Sequence, residues 1–184
     1  MRAQIYLRVG MNGNFIIPLN GLTAGKNEFF LKAGKEFFET FENEEILNAD
    51  LQIRILVEKS GRYIGVDCDI EGDVTVECDR CLDPLEMPID VQVRLSVKFG
   101  QEEALEMTPD GEREVIFVKE DDAELDMSQI IYDYALLALP MQKTHAPGEC
   151  NPEAMKYFEA PEVHDNVAED EAQNPFAALK DMFK

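Results

Sequence analysis

The chain has 184 residues, 17 basic against 38 acidic, and a formal net charge of −21. Its 45% hydrophobic content is ordinary for a globular protein and supports one medium domain, or a domain with a tail. Polyanion binding by phosphate neutralisation needs clustered Lys and Arg, so a chain this acidic is repelled by nucleic acid at long range; RNA contact must be local, and a basic protein partner is electrostatically easier.

Residues Met1 to Tyr6 lack the apolar run of a signal peptide. No stretch approaches the roughly 18 apolar residues of a membrane span. A soluble cytoplasmic protein without a membrane partner is therefore expected. Ile5, Leu7 and Val9 alternate weakly before a turn at Gly10–Asn14. Phe15–Leu19 and Glu28–Leu31 read as short strands, and Pro18 suggests an edge position or an irregular stretch for the first. Phe37, Phe38 and Phe41 have helical spacing, which predicts a short helix within 33–42.

Residues 50–99 carry the strongest pattern. Leu51, Ile53, Ile55 and Val57 alternate with mostly polar residues, and Lys59-Ser60-Gly61-Arg62 reads as a hairpin turn. Ile64, Val66, Cys68 and Ile70 form the next row, which makes Cys68 a core residue. Glu71-Gly72-Asp73 reads as a second turn, after which Val74, Val76 and Cys78 keep the same spacing. Cys78-Asp79-Arg80-Cys81 is a bend, followed by a long strand from Ile89 to Phe99. Together these predict a four-stranded antiparallel meander with one buried face.

In residues 100–126 eleven carboxylates face Arg113 and Lys119. One strand, Val115–Val118, lies between solvated flanks at 102–112 and 120–126. A helix follows over 127–139, capped by Asp126 with Gln129 as capping-box partner and stopped by Pro140. Ile130, Ile131, Tyr134, Leu137 and Ala138 make its apolar stripe. A short helix through Met155, Tyr157 and Phe158 ends the domain. Residues 161–173 form an acidic linker. In 174–184, Asn174 and Pro175 suit a helix start, and Phe176, Leu179, Met182 and Phe183 share one side, fit for a groove on a partner or on the same chain. The expected fold class is α+β: an antiparallel β-meander sheet or partial barrel in domain 1–160, covered by one main helix, with a tethered C-terminal helix.

Chemistry concentrates on the Cys-x-x-Cys bend. Cys78 and Cys81 have the spacing of half a zinc site, and a structural zinc needs four ligands. His145 and Cys150, spaced as His-x4-Cys, are the remaining realistic donors, since His164 lies in the linker. Zinc is the one cofactor candidate. Against it stands the reading that Cys78 packs inward and Cys81 is a reduced surface thiol. The chain has no phosphate loop, no Gly-x-Ser-x-Gly, no His-Glu-x-x-His and only two histidines, so an enzyme is not expected. Arg54, Arg94 and Lys98 on polar strand faces, with Arg80 in the bend, are candidates for a local partner-binding patch; the competing reading makes them solvated partners of nearby carboxylates.

Four stretches in chain order resemble the YceD family, bacterial and plastid proteins linked to accumulation of large-subunit ribosomal RNA. They are Cys78-Asp79-Arg80-Cys81-Leu82 with the strand after it, the helix led by Leu125-Asp126 and closing in Leu137-Ala138-Leu139-Pro140, His145 with Cys150, and Asn174-Pro175-Phe176-Ala177-Ala178-Leu179. The resemblance covers roughly residues 70 to 184. It implies a non-enzymatic role in 23S rRNA synthesis, processing or stability, hence in large-subunit assembly, with rRNA or a basic ribosomal or assembly protein as partner. Many relatives end the third stretch with a second Cys-x-x-Cys; this chain has Cys150 alone, so a four-ligand site here requires His145. The alternative from another class is a zinc- or thiol-dependent redox or sensor protein using the Cys-x-x-Cys hairpin.

Overall fold

The structure, a computed structural model, describes residues 15–100, 113–119, 121–156 and 158. The chain divides into two compact units, residues 1–150 and 151–184. In the first, β1 (Ile16–Pro18) and a 3-10 turn (Leu19–Gly21) lead into β2 (Gly25–Gly34) and α1 (Lys35–Glu39). Three long strands follow: β3 (Asn48–Ser60), β4 (Tyr63–Glu77) and β5 (Pro84–Phe99). β6 (Glu114–Val118), β7 (Glu124–Asp126) and α2 (Ser128–Leu137) complete it.

The main sheet is open, with strand order β2-β3-β4-β5-β6, and β1 pairs with β7 in a separate two-stranded sheet. This is the expected α+β class. β2 to β5 are antiparallel neighbours, and their period-2 pattern places one row from each strand on the buried face. Phe29, Ile55, Cys68 and Val93 lie side by side across the four strands, as do Leu31, Ile53, Ile70 and Val91. Apart from Val91, which is partly exposed, these side chains are buried. At roughly 1.5–3 kcal/mol per buried aliphatic or aromatic side chain, this face is the main source of stability.

Two turns are expected within the meander, and one of them is absent. Gly61, with φ 61°, makes the turn between β3 and β4. Glu71-Gly72-Asp73 makes none: β4 runs straight through it, pairing Gly72 with Leu51 on one side and Ile89 on the other. The apolar row never changes phase across Gly72, as it would at a turn. Gly72 is there for close approach instead. Its φ is 145°, and a Cβ would sit 2.1 Å from the Asp50 carbonyl oxygen. The fourth antiparallel strand is β2.

Three other expectations are corrected, those for the 120–126 flank, the α2 stripe and its capping box; the direction of β6 is one on which the sequence is silent. β6 lies parallel to β5, pairing Leu95 with Glu114 through Phe99 with Val118. Glu124–Asp126, read as solvated flank, is a strand, because Leu125 inserts into the core and the backbone pairs with β1. The buried stripe of α2 is Met127, Ile131 and Ala135, while Leu137 is 77% exposed and Ala138 also faces solvent. The capping box does not form. Asp126 Oδ1 accepts the Ser128 N–H at 2.8 Å, but Gln129 Nε2 donates to Asp133 at 2.7 Å instead of reaching back. An aromatic cluster joins α1 to α2: Phe41 stacks on Tyr132 with ring centroids 4.2 Å apart, and Asn43 Nδ2 donates to the Tyr132 hydroxyl at 3.0 Å.

In the second unit, α3 (Pro152–Met155) starts at Asn151, whose Oδ1 accepts the Glu153 N–H at 2.9 Å. The linker 161–173 and the helix expected over 174–184, with Phe176, Leu179, Met182 and Phe183, lie outside the described residues. Among the described residues no helix is long and apolar enough to cross a membrane.

Candidate functional site

β4 and β5 are joined by residues 78–83, and the backbone there closes on itself. The Cys78 N–H donates to the Asp83 carbonyl and the Leu82 N–H to the Cys78 carbonyl, both at 2.9 Å. Leu82 takes φ 61°, a left-handed conformation that usually falls to glycine, and its side chain is 69% exposed. This tight loop turns both cysteine side chains to the same side, and both are buried.

The facing wall is the 143–150 segment. Asp79 holds it by both ends of its own residue: its N–H donates to the Lys143 carbonyl at 2.7 Å, and its Oδ2 accepts the Lys143 N–H at 2.6 Å. Lys143 Nζ in turn pairs with Glu45. Beyond this clamp, Ala146-Pro147-Gly148-Glu149 forms a turn, closed by the Glu149 N–H donating to the Ala146 carbonyl at 3.0 Å with Gly148 at φ 88°. Pro followed by a positive-φ Gly is the type II pattern. The reversal returns Cys150 to the vicinity of His145.

Cys78, Cys81, His145 and Cys150 thus converge, with one donor atom from each within 4.8 Å of all the others. Cys81 Sγ lies 3.4 Å from His145 Nδ1, and His145 Nε2 lies 3.3 Å from the Pro84 carbonyl oxygen. Arg80 Nη1 is 3.8 Å from Cys150 Sγ.

The electrostatics favour negative charge on Cys78. Burial pushes its thiol up, but backbone N–H groups of Cys81, His145 and Arg80 and the Cys81 side chain outweigh burial and lower it to about 6. Hydrogen bonding to Cys78 raises His145 against the opposing effect of desolvation, with Cys81 adding to the rise. Burial raises Cys150, reinforced by the neighbouring Cys81 and Cys78 sulfurs. A cluster with one stabilised thiolate, two further thiols and an imidazole can bind a soft or borderline cation, or exchange thiol for disulfide.

Residues 66–183 match the family described as large ribosomal RNA subunit accumulation protein YceD. The chain belongs to the YceD family. Neither the comparison with curated proteins nor that with solved structures gives a match. The matched span takes in β4 from Val66, the cysteine loop, β5, α2 and the 143–150 segment, so all four converging side chains lie inside the YceD region.

The basic candidates do not gather at this loop. Arg54 pairs with Glu28 at 2.6 Å and lies opposite Asp69. Arg94 bonds Gln92 through Nη2 at 2.9 Å and lies opposite Asp67. Lys98 lies opposite Phe117 at the far end of β5. Asp67 precedes Glu77 by ten residues of β4, about 33 Å of strand at ~3.3 Å per residue. Arg80 alone is at the cysteine loop, directed at the cluster. Sequence reasoning missed Asp79 and Lys143 as the clamp and Pro84 as the acceptor for His145. The Pro147-Gly148 pair was the available signal that the chain reverses between the last two donors.

Proposed function

We propose that this YceD-family chain supports accumulation of large-subunit ribosomal RNA by binding rather than catalysis, during processing or assembly of the large ribosomal subunit. The family match over residues 66–183 carries this reading. The net charge of −21 and the outer sheet face shape it. On that face Asp50 lies opposite Asp73, and Glu71 opposite Asp90, while Arg54 lies beside Asp69 and Arg94 beside Asp67. Like charges facing each other across strands cost stability, and a basic partner relieves that cost. The favoured partner is therefore a basic ribosomal or assembly protein, with any RNA contact local and centred on Arg80.

Deleting the gene tests the reading. The amount of large-subunit rRNA relative to small-subunit rRNA is expected to fall, with precursors accumulating; an unchanged ratio rejects the proposal. A crosslinked pull-down scored for RNA and protein together then separates a basic protein partner from direct rRNA contact. The second reading, a thiol sensor, is favoured by the lowered pKa of Cys78 beside Cys81. It predicts a reversible Cys78–Cys81 disulfide under mild oxidation, read by mass spectrometry of alkylated protein.

A further inference from the structure

The structure points to a closed structural zinc site in this chain, made by Cys78, Cys81, Cys150 and the Nδ1 atom of His145. Four observations carry the inference, and none depends on the rRNA reading. The first is size. Four donors within 4.8 Å of one another fit around a single ion, whereas an iron–sulfur cluster would force them further apart. Zinc–sulfur and zinc–nitrogen bonds of about 2.3 and 2.05 Å at the tetrahedral angle give an S···N edge of about 3.6 Å. The Cys81 Sγ to His145 Nδ1 separation is 3.4 Å.

The second is the state of the imidazole. A carbonyl oxygen can only accept, so the contact between Nε2 and the Pro84 carbonyl at 3.3 Å suits an N–H on Nε2. In the neutral ring that metal binding requires, this leaves Nδ1, the nitrogen facing Cys81 Sγ, as the ligating atom, and the Pro84 carbonyl acts as the outer partner that fixes a ligating histidine. Third, the clamp between Asp79 and Lys143, made by their backbones and the Asp79 carboxylate, brings the two halves of the donor set together, so the ion completes a site whose walls are already held. Fourth, zinc with three thiolates and a neutral imidazole carries a net charge of −1. The Arg80 guanidinium lies against Cys150 Sγ at 3.8 Å, where it offsets that charge. Binding releases the protons of whichever thiols are still protonated. Four protein donors leave no position for water or substrate, which makes the site a staple rather than a catalytic centre.

The full chain, expressed with zinc and purified without chelator, is expected to carry roughly one zinc per chain by elemental analysis. Expression with cobalt in place of zinc is expected to give the thiolate charge-transfer and d–d bands of a tetrahedral site. His145→Cys is expected to keep the metal and shift the cobalt bands toward a four-sulfur pattern. His145→Ala and Cys150→Ser are each expected to lose at least about tenfold in affinity, since even outer partners are worth that much. Wild-type protein without stoichiometric metal and without tetrahedral cobalt bands overturns the proposal, and a Cys78–Cys81 disulfide in that metal-free protein assigns the site to thiol exchange. Cobalt bands unmoved by His145→Cys overturn the assignment of His145.

Discussion

Cys68 lies within β4 and Cys78 just past its end, ten positions apart in one apolar row, and both are fully buried. Their thiols nevertheless move in opposite directions. Burial pushes Cys68 up to about 12, with Asp69 adding to the rise. Cys78 falls to about 6 because backbone N–H groups of Cys81, His145 and Arg80 outweigh its own desolvation. Depth and backbone together explain the difference: Cys68 lies mid-strand in the core, Cys78 at the loop end. Around Cys68 the N–H groups belong to a continuous ladder, where it sits between Ile55 and Val93. Past Glu77 the ladder ends, and the loop leaves N–H groups free to point at sulfur. Of two cysteines closed to solvent, the one deep in the ladder is held as a thiol and the one at the loop is stabilised as a thiolate.

Gly72 lets β4 run unbroken from Cys68 to the cysteine loop, and replacing it is expected to have the largest effect. A Cβ there would meet the Asp50 carbonyl oxygen at 2.1 Å, and the φ of 145° is strained for any L side chain. Gly72→Ala is expected to destabilise by about 4 kcal/mol or more in urea melts, as two backbone segments must separate. Gly65→Ala is the control in the same strand. Its Cβ would meet only the Tyr63 ring, at 2.9 Å from the hydroxyl, and Tyr63 is partly exposed and can swing away. A cost within about 1 kcal/mol is expected there. Equal costs at the two glycines would refute the close-approach account.

Asp79→Ala comes next. It removes the carboxylate that accepts the Lys143 N–H at 2.6 Å, on an exposed residue. The expected loss is about 1–2 kcal/mol, confined to the loop end of β4. Hydrogen exchange should show faster exchange at Lys143 with the β3–β4 pairing around Cys68 unchanged. Uniform loss of protection would mean that the two regions are one cooperative unit.

The Cys68 region was legible in the sequence and most of the Cys78 region was not. Period-2 rows from Leu51 to Phe99 predicted strands, buried face and the core place of Cys68, because alternation is a direct image of one-sided burial. The same rows held the evidence against a turn at Gly72, since Ile70 and Val74 stay in phase across it; the composition Glu-Gly-Asp masked this. At the cysteine loop, donor types and spacing named Cys78, Cys81, His145 and Cys150, and the structure brings all four together. The clamp was invisible because Asp79 and Lys143 are 64 positions apart and joined mostly through backbone groups, which any residue carries. The direction of β6 was equally silent, since strand pattern does not encode parallel or antiparallel pairing.

Alkaline titration sharpens the contrast from the Cys68 side. A thiol whose folded pKa is raised binds its proton more tightly in the folded state, so its contribution is fully present below about pH 9 and lost as pH rises toward about 12. At pH 10 the loss should be on the order of 1 kcal/mol relative to pH 7. Cys68→Ala is expected to lower stability at neutral pH through the cavity it leaves, yet to show a flatter decline between pH 8 and about 10 than wild type. Parallel declines would mean that Cys68 titrates no differently in the folded and unfolded states, so that burial does not raise it.

The smallest effect is expected at Leu82, and it tests whether the loop's backbone is shaped at a cost. Its left-handed φ of 61° disfavours a branched side chain by roughly 1–2 kcal/mol, while its 69% exposure means little packing is gained in return. Glycine removes the steric cost but adds freedom to the unfolded chain, worth up to about 1 kcal/mol in the other direction. Leu82→Gly is therefore expected to be neutral or stabilising by less than about 1 kcal/mol, with the Cys78–Asp83 and Leu82–Cys78 hydrogen bonds keeping their exchange protection. A clear loss of stability would show instead that the exposed leucine itself contributes packing at the loop tip. The shape of this end of β4 would then depend on a side chain as well as on its hydrogen-bonded backbone.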